Sequence, residues 1–271
     1  MIRGADSPAT MASTVGDAPC LDVAGLSVAY AGRPALRDVT LPIHTGRITA
    51  IVGPSGCGKS TFLASLNRMT DLVPGCTVTG RIRFQGADVH DPATDLIALR
   101  TRIGMIFQRP NPCPLASRRN LTVPLEHHRI GDRREREAHA GAALRRVGLW
   151  DEVRDRLDAP ALELSGGQQQ RLCLARALVL EPEVVLMDEP CSALDPIASG
   201  VVEDLIVSLR RHYTLVIVTH NLAQARRIAD DVAVCWVREG VGTLIEHGPA
   251  ATTFEAPAHE LTAAYVRGIR G

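Results

Sequence analysis

The stretch "RITAIVGPSGCGKSTFL", Arg47 to Leu63, decides how the rest of the chain is read. Its first six residues are mostly apolar and β-favouring, as in a buried strand. Gly53-Pro54-Ser55-Gly56-Cys57-Gly58-Lys59-Ser60 then matches G-x-x-x-x-G-K-[ST] in full. The residues that follow read as a helix from Lys59 to about Met69, with Thr61 in its first turn. A glycine-rich turn between a buried strand and a helix is an anion cradle. Backbone N–H groups wrap phosphates and the helix dipole adds positive potential. In such a loop Lys59 reaches the β- and γ-phosphates and the Ser60 hydroxyl ligates Mg²⁺. Cys57 reads as a small residue filling the loop. The expected ligands are ATP and Mg²⁺.

Working outward, the same alternation returns. "LDVAGLSVAY" and "ALRDVTLPIHTG" read as strands before the loop, broken at Gly32-Arg33-Pro34. "GRIRFQG" reads as another strand. After residue 165, "EVVLMDE", "YTLVIVTH", "DVAVCWV" and "GTLIEHG" read as strands with helices between the first three. Near-continuous Val/Ile/Leu runs separated by helices predict an α/β fold: a mostly parallel sheet covered on both faces, with antiparallel strands at the N-terminal end. The middle of the chain is different. From Asp95 to about Asp158 it is Arg-rich and reads as helical throughout, a helical insertion spanning roughly residues 93–165. The tail "FEAPAHELTAAYVRGIRG" reads as one terminal helix. Residues 1–20 are small and polar and read as a disordered lead-in, with Met11 an alternative start. Residues 21–271 form the folded domain.

Composition narrows the function. The 271 residues carry 30 Lys+Arg and 30 Asp+Glu, so bulk charge does not call for nucleic acid. The mixed charges of "DRREREAHAG" fit a solvated helix face. Seven widely spaced cysteines without a C-x-x-C point to a reducing compartment and away from a disulfide framework or zinc. No apolar run approaches the ~20 residues that span a bilayer. The N-terminus has no continuous apolar core of a secretory signal. A cytosolic location is expected.

Two further stretches carry chemistry. "VVLMDE", Val184 to Glu189, ends a buried strand on two carboxylates. In open α/β sheets ligands bind at the carboxyl ends of strands. Asp188 is therefore the expected Mg²⁺ partner, and Glu189 the group that polarises attacking water. "ELSGGQQQRLCLARAL", Glu163 to Leu178, is a second glycine-rich loop opening a helix, and so a second anion site in a chain that already has one.

These motifs, in this order, resemble the nucleotide-binding subunits of ABC transporters, over essentially all of residues 21–271. Leu164-Ser165-Gly166-Gly167-Gln168 matches the family's signature loop. The resemblance implies a P-loop NTPase core with a helical subdomain. It also implies a head-to-tail homodimer with two ATP at the interface. Ser165, Gly166, Gly167 and Gln168 of one subunit then cap the nucleotide held by the other's phosphate loop, which explains the second anion site. It further assigns Tyr30 to stacking on adenine, Gln108 in "MIFQRP" to sensing Mg²⁺ and the attacking water, Asp195 in "SALDP" to communication across the dimer, and His220 in "IVTHN" to the γ-phosphate. Catalysis would rest on Glu189, His220, Gln108 and Lys59.

A narrower resemblance, strongest in "LNRMTDLVPG" and "LSGGQQQRLC", is to the ATPases of phosphate importers. It implies two separate membrane permease subunits, an extracytoplasmic solute-binding protein, and a peripheral place on the cytoplasmic face of the cell membrane. An importer ATPase for phosphonate or polar amino acids, and a soluble ABC-type machine, share the general motifs and stay open at this point.

Overall fold

The computed structural model describes residues 18–268. The chain opens with an antiparallel hairpin, β1 (Pro19–Tyr30) and β2 (Arg33–His44). Its two-residue turn has positive φ at both Ala31 and Gly32, which suits the twist of a hairpin. β3 (Ile48–Val52) follows, buried at every residue, and runs through the glycine loop into α1 (Lys59–Leu66). A second hairpin, β4 (Cys76–Phe84) and β5 (Ala87–Asp88), pairs with β1. Then come α2 (Leu96–Arg102) and β6 (Ile103–Ile106). A helical stretch contains α3 (Ser117–His127), α4 (Arg133–Arg146) and α5 (Trp150–Val153), and leads to α6 (Gly166–Leu178). The sheet resumes with β7 (Val184–Asp188), α7 (Pro196–Leu209), β8 (Thr214–Val218), α8 (Leu222–Ile228), β9 (Asp231–Arg238) and β10 (Val241–Pro249). Two short helices, α9 (Ala250–Glu255) and α10 (Glu260–Val266), end the described chain.

The ten strands of the described residues share one sheet, ordered β5-β4-β1-β2-β10-β9-β3-β8-β7-β6. β6, β7, β8, β3 and β9 form a parallel block, and the β1, β2, β4, β5 end is antiparallel. This is the expected α/β architecture. The strand interiors explain the continuous apolar runs. Along β7, Val185 and Met187 face the helices α6 and α7, while Val184 and Leu186 face the core shared with α1 and the hairpins. Leu215 and Ile217 of β8 alternate with Val216 and Val218 in the same way. A strand with helices on both faces has no solvent side, so period-two polarity disappears.

Four expectations need correction. Ile103–Ile106 is a strand, not part of a continuous helical insertion. No glycine or proline separates it from α2, so the change of period is hidden in "LRTRIGMI". α1 stops at Leu66, short of Met69, because Arg68 turns the chain with φ 60° into a single 3-10 turn. Pro19 and Cys20 already belong to β1, so the lead-in assigned to residues 1–20 overreaches; its first 17 residues lie outside the described residues. The tail is two helices, because Pro257 between them has no N–H to continue one.

Candidate functional site

The glycine loop hangs between the ends of β3 and α1. Gly53 has φ 148°, and a Cβ there would lie 2.2 Å from the Cys235 carbonyl oxygen. Gly58 has φ 87°, and a Cβ there would lie 2.4 Å from Leu36 Cδ2. The first and last glycines are thus demanded by β9 and β2 pressing on the loop as well as by backbone conformation. Lys59 is folded over the loop. Its Nζ donates to the carbonyls of Gly53 at 2.8 Å and Pro54 at 2.9 Å, and the residue is only 6% exposed. Ser55, Gly56 and Ser60 face solvent. Tyr30, at the end of β1, reaches the same helix start, with its hydroxyl 3.4 Å from Thr61 Oγ1.

Opposite the loop stand the two carboxylates. Asp188 ends β7, and its Oδ1 accepts from Ser60 Oγ at 3.0 Å. Burial raises its pKa above the ordinary carboxyl range, only partly offset by that hydrogen bond and further raised by Glu189. Glu189 sits just past the strand in a left-handed conformation, φ 44°, pinned by its N–H donating to the Val218 carbonyl at 2.9 Å. Such a backbone costs a non-glycine residue about 1 kcal/mol or more and persists where the surroundings enforce it. Its side chain is held at both oxygens: Gln108 Nε2 donates to Oε2 at 3.0 Å, and His220 Nδ1 lies 2.9 Å from Oε1.

The parallel block explains the convergence. Neighbouring strands β3, β8, β7 and β6 all end on one side, delivering the loop, His220, Asp188–Glu189 and Gln108 respectively. The unexpected strand β6 has a clear consequence here. Ile106 pairs with Met187, so Gln108 emerges two residues later beside Glu189.

The second glycine loop is built differently. Ser165 is the N-cap of α6 in a reciprocal box: its Oγ accepts from Gln168 N at 3.3 Å, and Gln168 Oε1 accepts from Ser165 N at 3.1 Å. Gln168 is further tied to Glu152, 2.8 Å from its Nε2. Gly166 and Gly167 lie against Leu194 and Ala198, so this loop packs beside Asp195. Asp195 caps α7, accepting from the N–H groups of Ile197 at 2.9 Å and Ala198 at 3.0 Å. Among the described residues no hydrogen bond joins Ser165, Gly166, Gly167 or Asp195 to the phosphate loop of the same chain. The expected site residues therefore fall into two groups. Tyr30, the Gly53–Thr61 loop, Gln108, Asp188, Glu189 and His220 converge; Ser165–Gln168 and Asp195 stand at the starts of α6 and α7, with no hydrogen bond to that group among the described residues.

The structure adds residues the motifs did not flag. A cleft of about 440 Å³ beside Glu189 and His220 is lined also by Ser192, Asn221, Glu203 and Arg227. Glu203 is a buried carboxylate, 2.7 Å from Arg227 and 3.2 Å from Gln224 Nε2. In the sequence it is one acid in an amphipathic helix, with no spacing to set it apart.

Comparison with known proteins gives a consistent set of relatives. Residues 36–192 match the family model described as ABC transporter. The chain is 56% identical, over the full length of both proteins, to a phosphate import ATP-binding protein, PstB 1, of Nitrosococcus oceani. It is 45% identical to the PstB 1 of Vibrio vulnificus, with 99% of this chain and 97% of that one covered. Among solved structures, cbiO1 from Clostridium perfringens, part of the ABC transporter complex cbiONQ, superposes with a TM-score of 0.75 at 28% identity. That match covers 94% of this chain and 96% of cbiO1.

Proposed function

The chain belongs to the ABC transporter family, and from that membership and the geometry of the strand-end cluster we propose that it is the ATP-binding and ATP-hydrolysing subunit of a phosphate importer. Identity of 56% across the whole chain to a phosphate import ATP-binding protein supports the cargo. The grip of Gln108 and His220 on Glu189, next to the Ser60–Asp188 pair, is the observation that carries the chemistry.

In this reading the Gly53–Thr61 loop cradles the phosphates of ATP and Tyr30 packs on the base. Lys59 exchanges its two loop carbonyls for phosphate oxygens. Ser60, Asp188 and Gln108 are hard oxygen donors grouped on one side of the loop, a set that suits Mg²⁺ shared with phosphates and water. Bound there, Mg²⁺ would neutralise charge developing on the phosphates. Glu189 orients and polarises the attacking water as general base. His220 leaves Glu189 to hold the γ-phosphate, and Gln108 carries the state of the site toward the helical subdomain, roughly residues 93–165.

Asp195 and Ser165–Gln168 serve a second copy. They present capped helix starts with no hydrogen bond to the phosphate loop among the described residues, as expected of a head-to-tail homodimer that encloses two ATP. The exposed apolar pair Ile197 and Val201, on the α7 turn beside Asp195, fits a surface that a second copy covers. ATP bridges the halves, hydrolysis releases them, and the closure is a population shift set by differential affinity. Among the described residues no helix is long and apolar enough to cross a membrane. Two separate permease subunits therefore form the channel, with a solute-binding protein outside and this subunit on the cytoplasmic face of the membrane.

The test is Glu189→Gln. Loss of the general base is expected to lower ATP turnover by about 10²–10⁴-fold while ATP still binds and the dimer accumulates. Pulled from native membranes with ATP, the variant should bring down its permease, and labelled-phosphate uptake should fail. Capture of another permease with intact phosphate uptake would sink the cargo assignment.

A further inference from the structure

Cys57 fills the underside of the phosphate loop, and its one cysteine neighbour across the sheet is Cys235 on β9. Both are buried, at 0% and 2% exposure, in the same apolar cluster. Three contacts fix the pair. A Cβ at Gly53 would come within 2.9 Å of Cys57 Sγ and 2.2 Å of the Cys235 carbonyl, so only a glycine hydrogen faces both residues. A Cβ at Gly242 of β10 would come within 2.2 Å of the Cys57 carbonyl, which presses the loop onto the sheet. Lys59 Nζ lies 3.8 Å from Cys57 Sγ. The neighbouring Cys235 thiol lowers the Cys57 thiol to about 7 against the opposing effect of burial, with the Lys59 charge adding to the drop, while Cys235 is pushed well up. Of the two, Cys57 is therefore the sulfur that ionises more readily, and thiolate is the reactive form. Ser55 and Gly56, immediately before it, are exposed, so a small displacement of the loop opens Sγ to a small oxidant.

We propose that Cys57 and Cys235 form a reversible oxidation site beneath the phosphate loop, closed to a disulfide by a peroxide, and that the closed form does not bind nucleotide. The Cys57 thiolate attacks the peroxide: an S–O bond forms, the O–O bond breaks, sulfur is oxidised and the leaving oxygen departs as hydroxide. The Cys235 sulfur then attacks the Cys57 sulfenic acid. The S–S bond forms, the S–O bond breaks, and the Cys235 proton leaves with the departing hydroxide as water. The net change is two thiols and one hydrogen peroxide to one disulfide and two waters. A dithiol reductant reverses it by exchange. Closing two sulfurs to the ~2.05 Å of a disulfide draws the loop against β9. The backbone N–H groups that wrap the phosphates then lose their arrangement, and Lys59 is held down with them. None of the five remaining cysteines is needed.

The experiment uses the full chain. The reduced protein is treated with hydrogen peroxide, with and without ATP, then digested without reduction and mapped by mass spectrometry. Binding of a fluorescent ATP analogue is read in parallel. The expected result is a Cys57–Cys235 linked peptide, a loss of nucleotide affinity of at least tenfold, recovery with dithiothreitol, and protection by prior ATP. Cys235→Ser is expected to bind nucleotide as the parent does when reduced, and to lose the linkage and the dithiothreitol-reversible inactivation. Cys235→Ala serves the same purpose where the serine variant folds poorly. No linked peptide in the parent, a linkage that maps to another pair, or equal reversible inactivation of the Cys235 variants would each overturn the proposal. The nucleotide readout rests on the ATP-binding reading, whereas the linkage does not. A linked peptide in a protein that never binds ATP would count against that reading instead.

Discussion

At the residue scale, the site holds a carboxylate where burial disfavours its charge. The residue is Asp188. Burial lifts its pKa above the ordinary carboxyl value, and the Ser60 hydrogen bond and Lys59 charge only partly reverse that. A carboxyl whose folded pKa is raised favours folding fully only below its unfolded pKa, and that contribution is lost as pH rises through the folded value. At pH 7 the ionised Asp188 therefore costs stability. Asp188→Asn keeps an acceptor for Ser60 and removes the charge. It is expected to raise the melting midpoint at pH 7 by on the order of 2 °C while abolishing ATP turnover. Thermal scans from pH 7.5 downward should show that gain shrinking as the parent carboxyl takes up its proton. A variant melting lower than the parent at pH 7, or a pH-independent gain, would contradict the burial argument. The individual residues here were legible because their chemistry leaves few alternatives: two acids after four apolar residues have no packing use. The pairing of Cys57 with Cys235 was not legible. Its two members lie on different elements 178 positions apart (235 − 57), and only the sheet order brings them together.

At the element scale, α6 shows how one residue serves two purposes that can be separated. Ser165 caps the helix through its Oγ and, in the proposed dimer, faces the partner's nucleotide. Ser165→Ala removes both, so its effects cannot be assigned. It should cost about 1 kcal/mol of stability, the usual loss of an N-cap. Ser165→Asp keeps a strong cap but sets a negative charge where a phosphate would sit. The aspartate variant is expected to melt with the parent, within about 2 °C, and to lose ATP-driven dimerisation and turnover by at least tenfold. Calorimetry and light scattering on both variants check this; an aspartate variant that still dimerises with ATP would remove Ser165 from the interface. Elements differ in how openly the sequence declares them. β7 and β8 were plain, since four consecutive apolar residues between polar flanks fit a doubly covered strand. β6 was hidden because α2 runs into it without punctuation, and because four residues are too few to reveal a period. The family resemblance still pointed to Gln108, but its place beside Glu189 follows from β6 pairing with β7.

At the scale of the whole molecule, the proposed reading assigns three functions to the surface. In it the strand ends hold the nucleotide, Ser165 and Asp195 meet a second copy, and the helical stretch carries exposed apolar side chains that neither of these uses. Leu115 and Leu162 are 42% and 57% exposed, and their strands of chain are tied together by the Ala161 N–H donating to the Leu115 carbonyl at 2.9 Å. Phe107, directly before Gln108, is also exposed. Exposed apolar side chains, one of them next in the chain to the residue that touches Glu189, suit the surface through which, in the proposed reading, ATP turnover moves a permease. Leu115→Glu combined with Leu162→Glu separates that coupling from the ATPase itself. Both side chains are exposed, so folding stability should change by under about 1 kcal/mol. ATP affinity and dimerisation with ATP should stay within about twofold of the parent, because neither side chain belongs to the strand-end cluster or to the Ser165–Gln168 capping box. Labelled-phosphate uptake in cells carrying the double variant should fall at least tenfold, and the permease should no longer co-purify. Normal uptake with the variant expressed at parental levels would place the docking surface elsewhere. Loss of ATP affinity would show instead that the helical subdomain shapes the nucleotide site directly, through the chain from Phe107 to Gln108.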